Sequence, residues 1–421
     1  MLLTFEILII IFSIFILFYS FKASKNIHTI VPIIIVFDLV MVFPLILEII
    51  FGIPKAYYRY YKLALADEQT LHIYLSFIAL AQFSFFYELF RIKKNSIVEK
   101  KVENFNVLSF FQNINHKTLI KFCCLLLFFI SIIAIFCSPD PFYYFRINSV
   151  YSTHSIDTLQ YKNNIMNNLC SLLFLSVILL KLIDNKDKIF DSFLRTLFII
   201  LIAFINQKRT LLLIIVGVFL IIDFLKSKKK SRFFFKYSIV LGIMIFYFYY
   251  YTIITGKISY NSDWYYLINE YIFRSMHMRF AIYAYLHSNT IHILDYPGQS
   301  FLFSLFYFIP RSIWPTKPFP YIDYYMRGLL NYSSLSLVTY HMPASYYPEF
   351  VSNFGMSGII LSIVFTIWYA RFFDKQNGIS KFIGIALIAL LQIYYYDDML
   401  KILSFALLLV VIGNKFKVKK M

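Results

Sequence analysis

Charge is scarce in this chain. Only 15% of its 421 residues are charged, where a soluble domain carries about 25%. The acidic side is the poorer, with 22 Asp and Glu against 40 Lys and Arg. Glycine and proline are few, and no Pro/Gly/Ser-rich linker marks off a soluble domain. The cysteines, Cys123, Cys124, Cys137 and Cys170, lack zinc spacing and lie in or beside apolar runs, so they read as small apolar core residues. No phosphate-cradling Gly-rich loop, no His-x-x-x-His pair and no carboxylate cluster with metal spacing is present, so no metal or cofactor is expected. Residues 1–21 lack a basic leader and a small-residue cleavage site, and read as a first span, not a cleaved signal. There is no obvious internal repeat.

What fills the space is hydrocarbon. Apolar residues make up 60% of the chain and aromatic residues 21%. The apolar runs are unbroken over about 20 residues, the length of a membrane-crossing helix, and show none of the alternation of a membrane β-barrel. The expected fold is an all-α polytopic membrane protein. Its spans fall at 2–21, 29–51, 69–90, 119–138, 164–180, 193–206, 210–225, 234–255, 356–370, 380–396 and 399–412, about eleven in all. This divides the chain into eight spans in 1–255, a large external loop region with short helices over 256–355, and three spans with a short cytoplasmic tail over 356–421.

The net charge of +18 is spread in a way that excludes nucleic acid. Lys and Arg gather in short segments such as RIKK at 91–94, KSKKKSR at 226–232 and KFKVKK at 415–420, and no soluble basic domain exists. The positive-inside rule puts these segments in the cytoplasm. The N-terminus and the 256–355 stretch then face outward, and the C-terminus inward.

That polar stretch is where chemistry is expected. Arg274 and Arg279 sit in a helical segment over 264–286, with His277 between them and Glu270 four residues before Arg274 as a surface pair. Guanidinium groups in an outward, aromatic-lined cavity suit a diphosphate. In FIPRSIWPTKP, at 308–318, three prolines brace a loop that would hold Arg311 and Lys317 at headgroup level. Snorkelling anchors explain the same pattern. His341 is a base able to act near neutral pH, and Glu349 could orient it or replace it. Asn353 and Gly355 support that turn. NQKRT at 206–210 places Lys208 and Arg209 between two apolar runs, where an unpaired cation is costly, so Arg209 is a further candidate phosphate ligand. Asp38, Glu48 and Glu88, scattered in early spans, offer only a weak proton relay.

Taken together, FIPRSIWPTKP, PEFVSNFGMSG (348–358), the arginine of NQKRT and the one large external stretch resemble bacterial oligosaccharide repeat-unit polymerases, the O-antigen and capsule polymerases of the Wzy type. The resemblance implies a fold shared with O-antigen ligases. It implies an undecaprenyl-diphosphate-linked oligosaccharide as donor and acceptor, joined on the outer face of the cytoplasmic membrane without a metal. Arg209, Arg274, Arg279 and Arg311 would bind the diphosphate, and His341 would match the ligase-like base. The chain departs from ligases in carrying His-Met-Pro-Ala at 341–344, which leaves the base open between His341 and Glu349. A chain-length regulator and a flippase would be its partners. Other readings are an O-antigen ligase or related glycosyltransferase, and a lipid-oligosaccharide flippase or transporter.

Overall fold

A computed structural model describes residues 2–23, 28–98, 117–144, 161, 165–183, 189–206, 215, 219, 264–271, 273–307, 309, 311, 313–338, 342, 344–376, 384–385, 387–388 and 391–393. Among these every regular element is helical. Four helices are long and apolar enough to cross a membrane: Leu2–Ser20, Ile30–Phe51, Glu68–Lys93 and Met356–Asp374. In hydrocarbon a helix satisfies its own backbone groups, which is why these sequences choose it. The spans expected at 234–255 and 399–412 lie outside the described residues, as do most of 210–225 and most of 380–396. Those expected at 119–138, 164–180 and 193–206 are shorter apolar helices.

The chain divides into two compact units, Met1–Asn104 with Asp263–Met421, and Phe105–Ser262. The second contains α6 (Lys117–Phe136), α7 (Asn167–Ile183) and α8 (Ile189–Asn206). Leu173, Val177, Phe198, Ile202 and Ile205 form its core, and Phe128 and Phe198 pack with ring centroids 4.8 Å apart. Cys124 and Cys170 are buried here as expected of small apolar residues, whereas Cys123 and Cys137 are exposed.

The first unit carries the other described α-helices. Its membrane frame is α1 (Leu2–Ala23), the run of α2 (Ile30–Phe37), a π turn (Asp38–Val42) and α3 (Phe43–Phe51), then α5 (Glu68–Val98) and α14 (Met356–Asp374). One end of this frame is clamped by charge. Arg371 grips Glu88 with contacts of 2.6–3.1 Å, Asp374 Oδ1 accepts from Thr29 N–H and hydroxyl at 2.8 Å, and Lys93 stands over Tyr19. The chain returns at the other end through α4 (Arg59–Ala66), which buries Tyr60, Tyr61, Ala64 and Leu65.

The 264–355 stretch folds as α9 (Trp264–Tyr271), α10 (Ser275–Leu286), α11 (Gln299–Leu305), α12 (Tyr321–Leu330) and α13 (Tyr346–Phe354). It does not stand off the spans as an external loop would. Tyr265 packs on Phe51 near the span end, but Phe273 packs on Phe43, and Arg274 N–H donates to Val40 O at 2.9 Å, halfway down the same span. The segment expected as one helix over 264–286 is thus a hairpin of two helices that dips between the spans. Likewise α13 begins at mid-span: Tyr347 packs between Phe37 and Phe77, and the Tyr346 hydroxyl meets Thr366 Oγ1 in the middle of α14. Aromatic content explains the difference. Tyrosine has enough apolar ring to pack among spans and one hydroxyl to satisfy.

Gly355 joins α13 to α14 at φ +60°, where Tyr285 leaves no room for a Cβ. One turn on, Gly358 lies against the Phe350 carbonyl, so only glycine allows the two helices to approach this closely.

Candidate functional site

The polar side chains of the first unit meet in two buried clusters. In the first, His277 projects from the opening turn of α10 toward α4 and α12. Its Nδ1 lies 2.9 Å from the Tyr61 hydroxyl and 2.8 Å from that of Tyr325, and the hydroxyls are 2.9 Å apart. Its Nε2 is 3.1 Å from the carbonyl of Glu270. A carbonyl only accepts, so the proton belongs on Nε2, and Nδ1 accepts from a tyrosine. Burial first, then the nearby Arg274 charge, push the imidazole pKa down to about 3, so the ring is neutral. Tyr61 also reaches Met342 Sδ at 3.8 Å, tying the chain just after His341 to this cluster.

The second cluster belongs to the stretch PEFVSNFG. Helix α13 puts Glu349 and Asn353 one turn apart on one face, and both are buried. Ser300 Oγ donates to Glu349 Oε1 at 2.7 Å, and Asn353 Nδ2 donates to Ser300 Oγ and to the Glu349 carbonyl, each at 2.8 Å. Ser300 is fixed because α11 is fixed. Gln299 bonds Asp295 N–H at 2.8 Å and the Tyr324 hydroxyl at 2.9 Å, and Arg327 bonds Asp295 at 2.7 Å. A carboxylate held this way can accept a proton from a hydroxyl with little reorganisation.

The expected cations take unexpected partners. Arg274 is fully buried, giving Nη1 to Phe273 O at 2.6 Å and Nε to Ile393 O at 2.7 Å. The surface pair with Glu270 is not formed at the surface, because the helix breaks between them and both side chains are buried. Arg279 forms an ion pair with Glu48 at 2.8 Å beneath the Tyr74 ring, and does not line an open cavity. Burial pulls its pKa down, but the Glu48 charge outweighs this and raises it. Lys317 turns inward to Tyr307 O and Ile309 O at 2.8 and 2.9 Å, not toward headgroups. Arg311 caps the same loop through Lys317 O and Pro318 O, stacks on Phe319, and remains exposed. These carbonyls are freed by prolines that cannot close a helix, and the cations occupy them. His341, Lys208 and Arg209 lie outside the described residues.

Sequence reasoning missed Tyr61, Tyr325 and Ser300, and passed over His277. Hydroxyls scattered through 35 tyrosines carry no spacing signal. Glu48 was the one legible hint, since a carboxylate inside a span must find a cation on another element.

Among the described residues, fold and site define an all-helical protein with four helices long and apolar enough to cross a membrane and with buried polar clusters packed among them. No protein family, curated protein or solved structure matches it.

Proposed function

We propose that the chain is a membrane-embedded glycosyltransferase that polymerises lipid-diphosphate-linked oligosaccharide units on the outer face of the cytoplasmic membrane. The observation that supports this reading is the second cluster: the stretch that resembles the repeat-unit polymerases folds as a helix presenting the buried Glu349 to Ser300. In the reaction, the acceptor hydroxyl oxygen attacks the anomeric carbon of the donor, and the bond to the lipid diphosphate breaks. Glu349, or His341, takes the hydroxyl proton. Arg311, exposed beside the proline-rich loop, meets the departing diphosphate. Arg274, Arg279 and Lys317 act at one remove, by holding the carbonyls and the carboxylate that shape the interior.

One observation favours a second reading. Helices α10 and α13 both begin halfway along the spans, as the discontinuous helices of transporters do, which fits a lipid-oligosaccharide flippase.

A deletion strain, complemented with wild type or Glu349→Gln, separates the two. Mass spectrometry of lipid-linked intermediates should find single translocated units in place of long chains. Glu349→Gln should lower polymer formation by about 10²–10⁴-fold, the usual contribution of a general base. Units stranded on the inner face would mean a transporter. Polysaccharide of unchanged length and amount would remove both readings.

A further inference from the structure

The Ile30–Phe51 span is interrupted at its middle by the π turn Asp38–Val42. Such turns are rare, and they concentrate at functional sites because they free backbone groups that a regular helix would use. Here Val40 O receives the Arg274 N–H at 2.9 Å, and Met41 O receives the Tyr74 hydroxyl at 2.6 Å. Asp38 opens the turn.

The Asp38 carboxyl is 8% exposed, Ser13 on α1 is 4% and Gln82 on α5 is 1%. Ser13 and Gln82 are the side chains within hydrogen-bonding reach of that carboxyl. Gln82 directs Nε2 to Ile9 O at 3.3 Å. Two enclosed acceptors, Asp38 Oδ2 and Gln82 Oε1, then have no donor. The second N–H of Gln82 is within reach of the carboxyl but cannot serve its own Oε1, and the Ser13 O–H, directed to the carboxyl, leaves that Oε1 without a donor. No full positive charge reaches them either. On the elements packed against the turn the acidic and basic groups are Glu6 on α1, Glu48 on α3, Glu68, His72, Glu88, Arg91 and Lys93 on α5 with the Tyr74 hydroxyl, and Arg274, His277 and Arg279 at α10. Arg91 pairs with Glu88 and Lys93 stands over Tyr19, toward the end of α5. Arg279 is taken by Glu48, Arg274 by carbonyls, and His277 by the two tyrosines.

We propose that Asp38, Gln82 and Ser13 form a binding site for one monovalent positive charge, a proton or an alkali-metal ion, set halfway across the membrane. A bare carboxylate in hydrocarbon costs several kcal/mol, and one bound charge removes that cost. A proton would turn one Asp38 oxygen into the donor that Gln82 Oε1 lacks. An alkali ion would instead be held by the three side-chain oxygens, the ligand type that hard cations take. The site is independent of the glycosyltransferase reading. Its occupancy is felt at α10, because the same turn supplies the carbonyls that hold Arg274 and Tyr74.

The test uses the full chain in lipid nanodiscs. Thermal unfolding is followed against pH in choline chloride, and against sodium or potassium chloride at fixed pH. The wild type should show a one-site dependence in one arm: the pH arm identifies a proton, the salt arm an alkali ion. Asp38→Asn, which supplies a neutral donor of the same shape, should lose that dependence. Should that variant fail to fold, Gln82→Leu should move the half-effect concentration by about tenfold or more, the cost of a hydrogen bond to a charged group. A wild type insensitive in both arms, or variants that keep its dependence, would overturn the proposal.

Discussion

Two Arg–Glu pairs in the first unit have the same chemistry and largely buried carboxylates, but their arginines have opposite surroundings. Arg371 grips Glu88 at the charged end of the frame, with its side chain 43% exposed. Arg279 meets Glu48 inside, with its side chain 1% exposed. The outer pair also buries its carboxylate, 5% exposed, but it has a solvated arginine and a spare cation, since Arg91 reaches Glu88 at 3.3 Å. The inner pair has a tyrosine ring and apolar neighbours. A charge there is held only by its partner, because desolvation in the interior exceeds what any weaker contact returns. The difference teaches how this chain keeps an arginine among its spans: the buried guanidinium is committed to one carboxylate, and the polar 264–355 stretch folds between the spans to bring the two together.

The largest effect should come from breaking the inner pair. Arg279→Met leaves the Glu48 carboxylate buried and unpaired, and should cost about 3–5 kcal/mol of unfolding free energy. Thermal or denaturant unfolding in one fixed detergent measures this. Joining it with Glu48→Leu should recover most of the loss, because two apolar side chains then pack where two charges stood. A double variant as unstable as the single would mean that the pair is not what holds α10 to the span.

His277 sharpens the comparison with a smaller effect. Its folded pKa, about 3, lies below the ordinary histidine value of about 6.5, so between these values the unfolded chain binds the extra proton. Stability contributed by the neutral ring is therefore full above about pH 6.5 and is lost as pH falls toward 3. Wild type should exceed His277→Gln in melting temperature at pH 7, and the gap should narrow by pH 5. A constant gap would show that this ring does not resist charging.

Four of the expected spans were legible because hydrophobic length is a one-dimensional property. Residues 2–21, 29–51, 69–90 and 356–370 all appear as helices of nearly those bounds. Glu349 and Asn353 were legible as a pair because i,i+4 spacing fixes a shared face. What was not legible is depth. Whether a tyrosine-rich helix lies outside the membrane or dips between spans depends on which rings it meets, and Phe43, Phe37 and Phe77 are distant in sequence from Phe273 and Tyr347. The partners of Arg279 and Lys317 were hidden for the same reason: an arginine reads as free until the fold supplies its carboxylate, and a lysine until a proline-bent loop turns its carbonyls inward.

The smallest effect is expected at the outer pair, despite its better geometry. Arg371→Ala removes contacts of 2.6–3.1 Å to both Glu88 oxygens. Glu88 is itself buried, with its side chain 5% exposed, but Arg371 is solvated by water and regains its rotamers once the pair parts, so the loss should lie near the upper end of the about 0–1 kcal/mol that exposed pairs contribute. Arg91 remains to neutralise Glu88. The melting temperature should therefore fall far less than for Arg279→Met, and added salt should shrink the difference further. A loss near that of Arg279→Met, unresponsive to salt, would mean that Glu88 is as dependent on one partner as Glu48. The contrast between the two ends of the frame would then collapse.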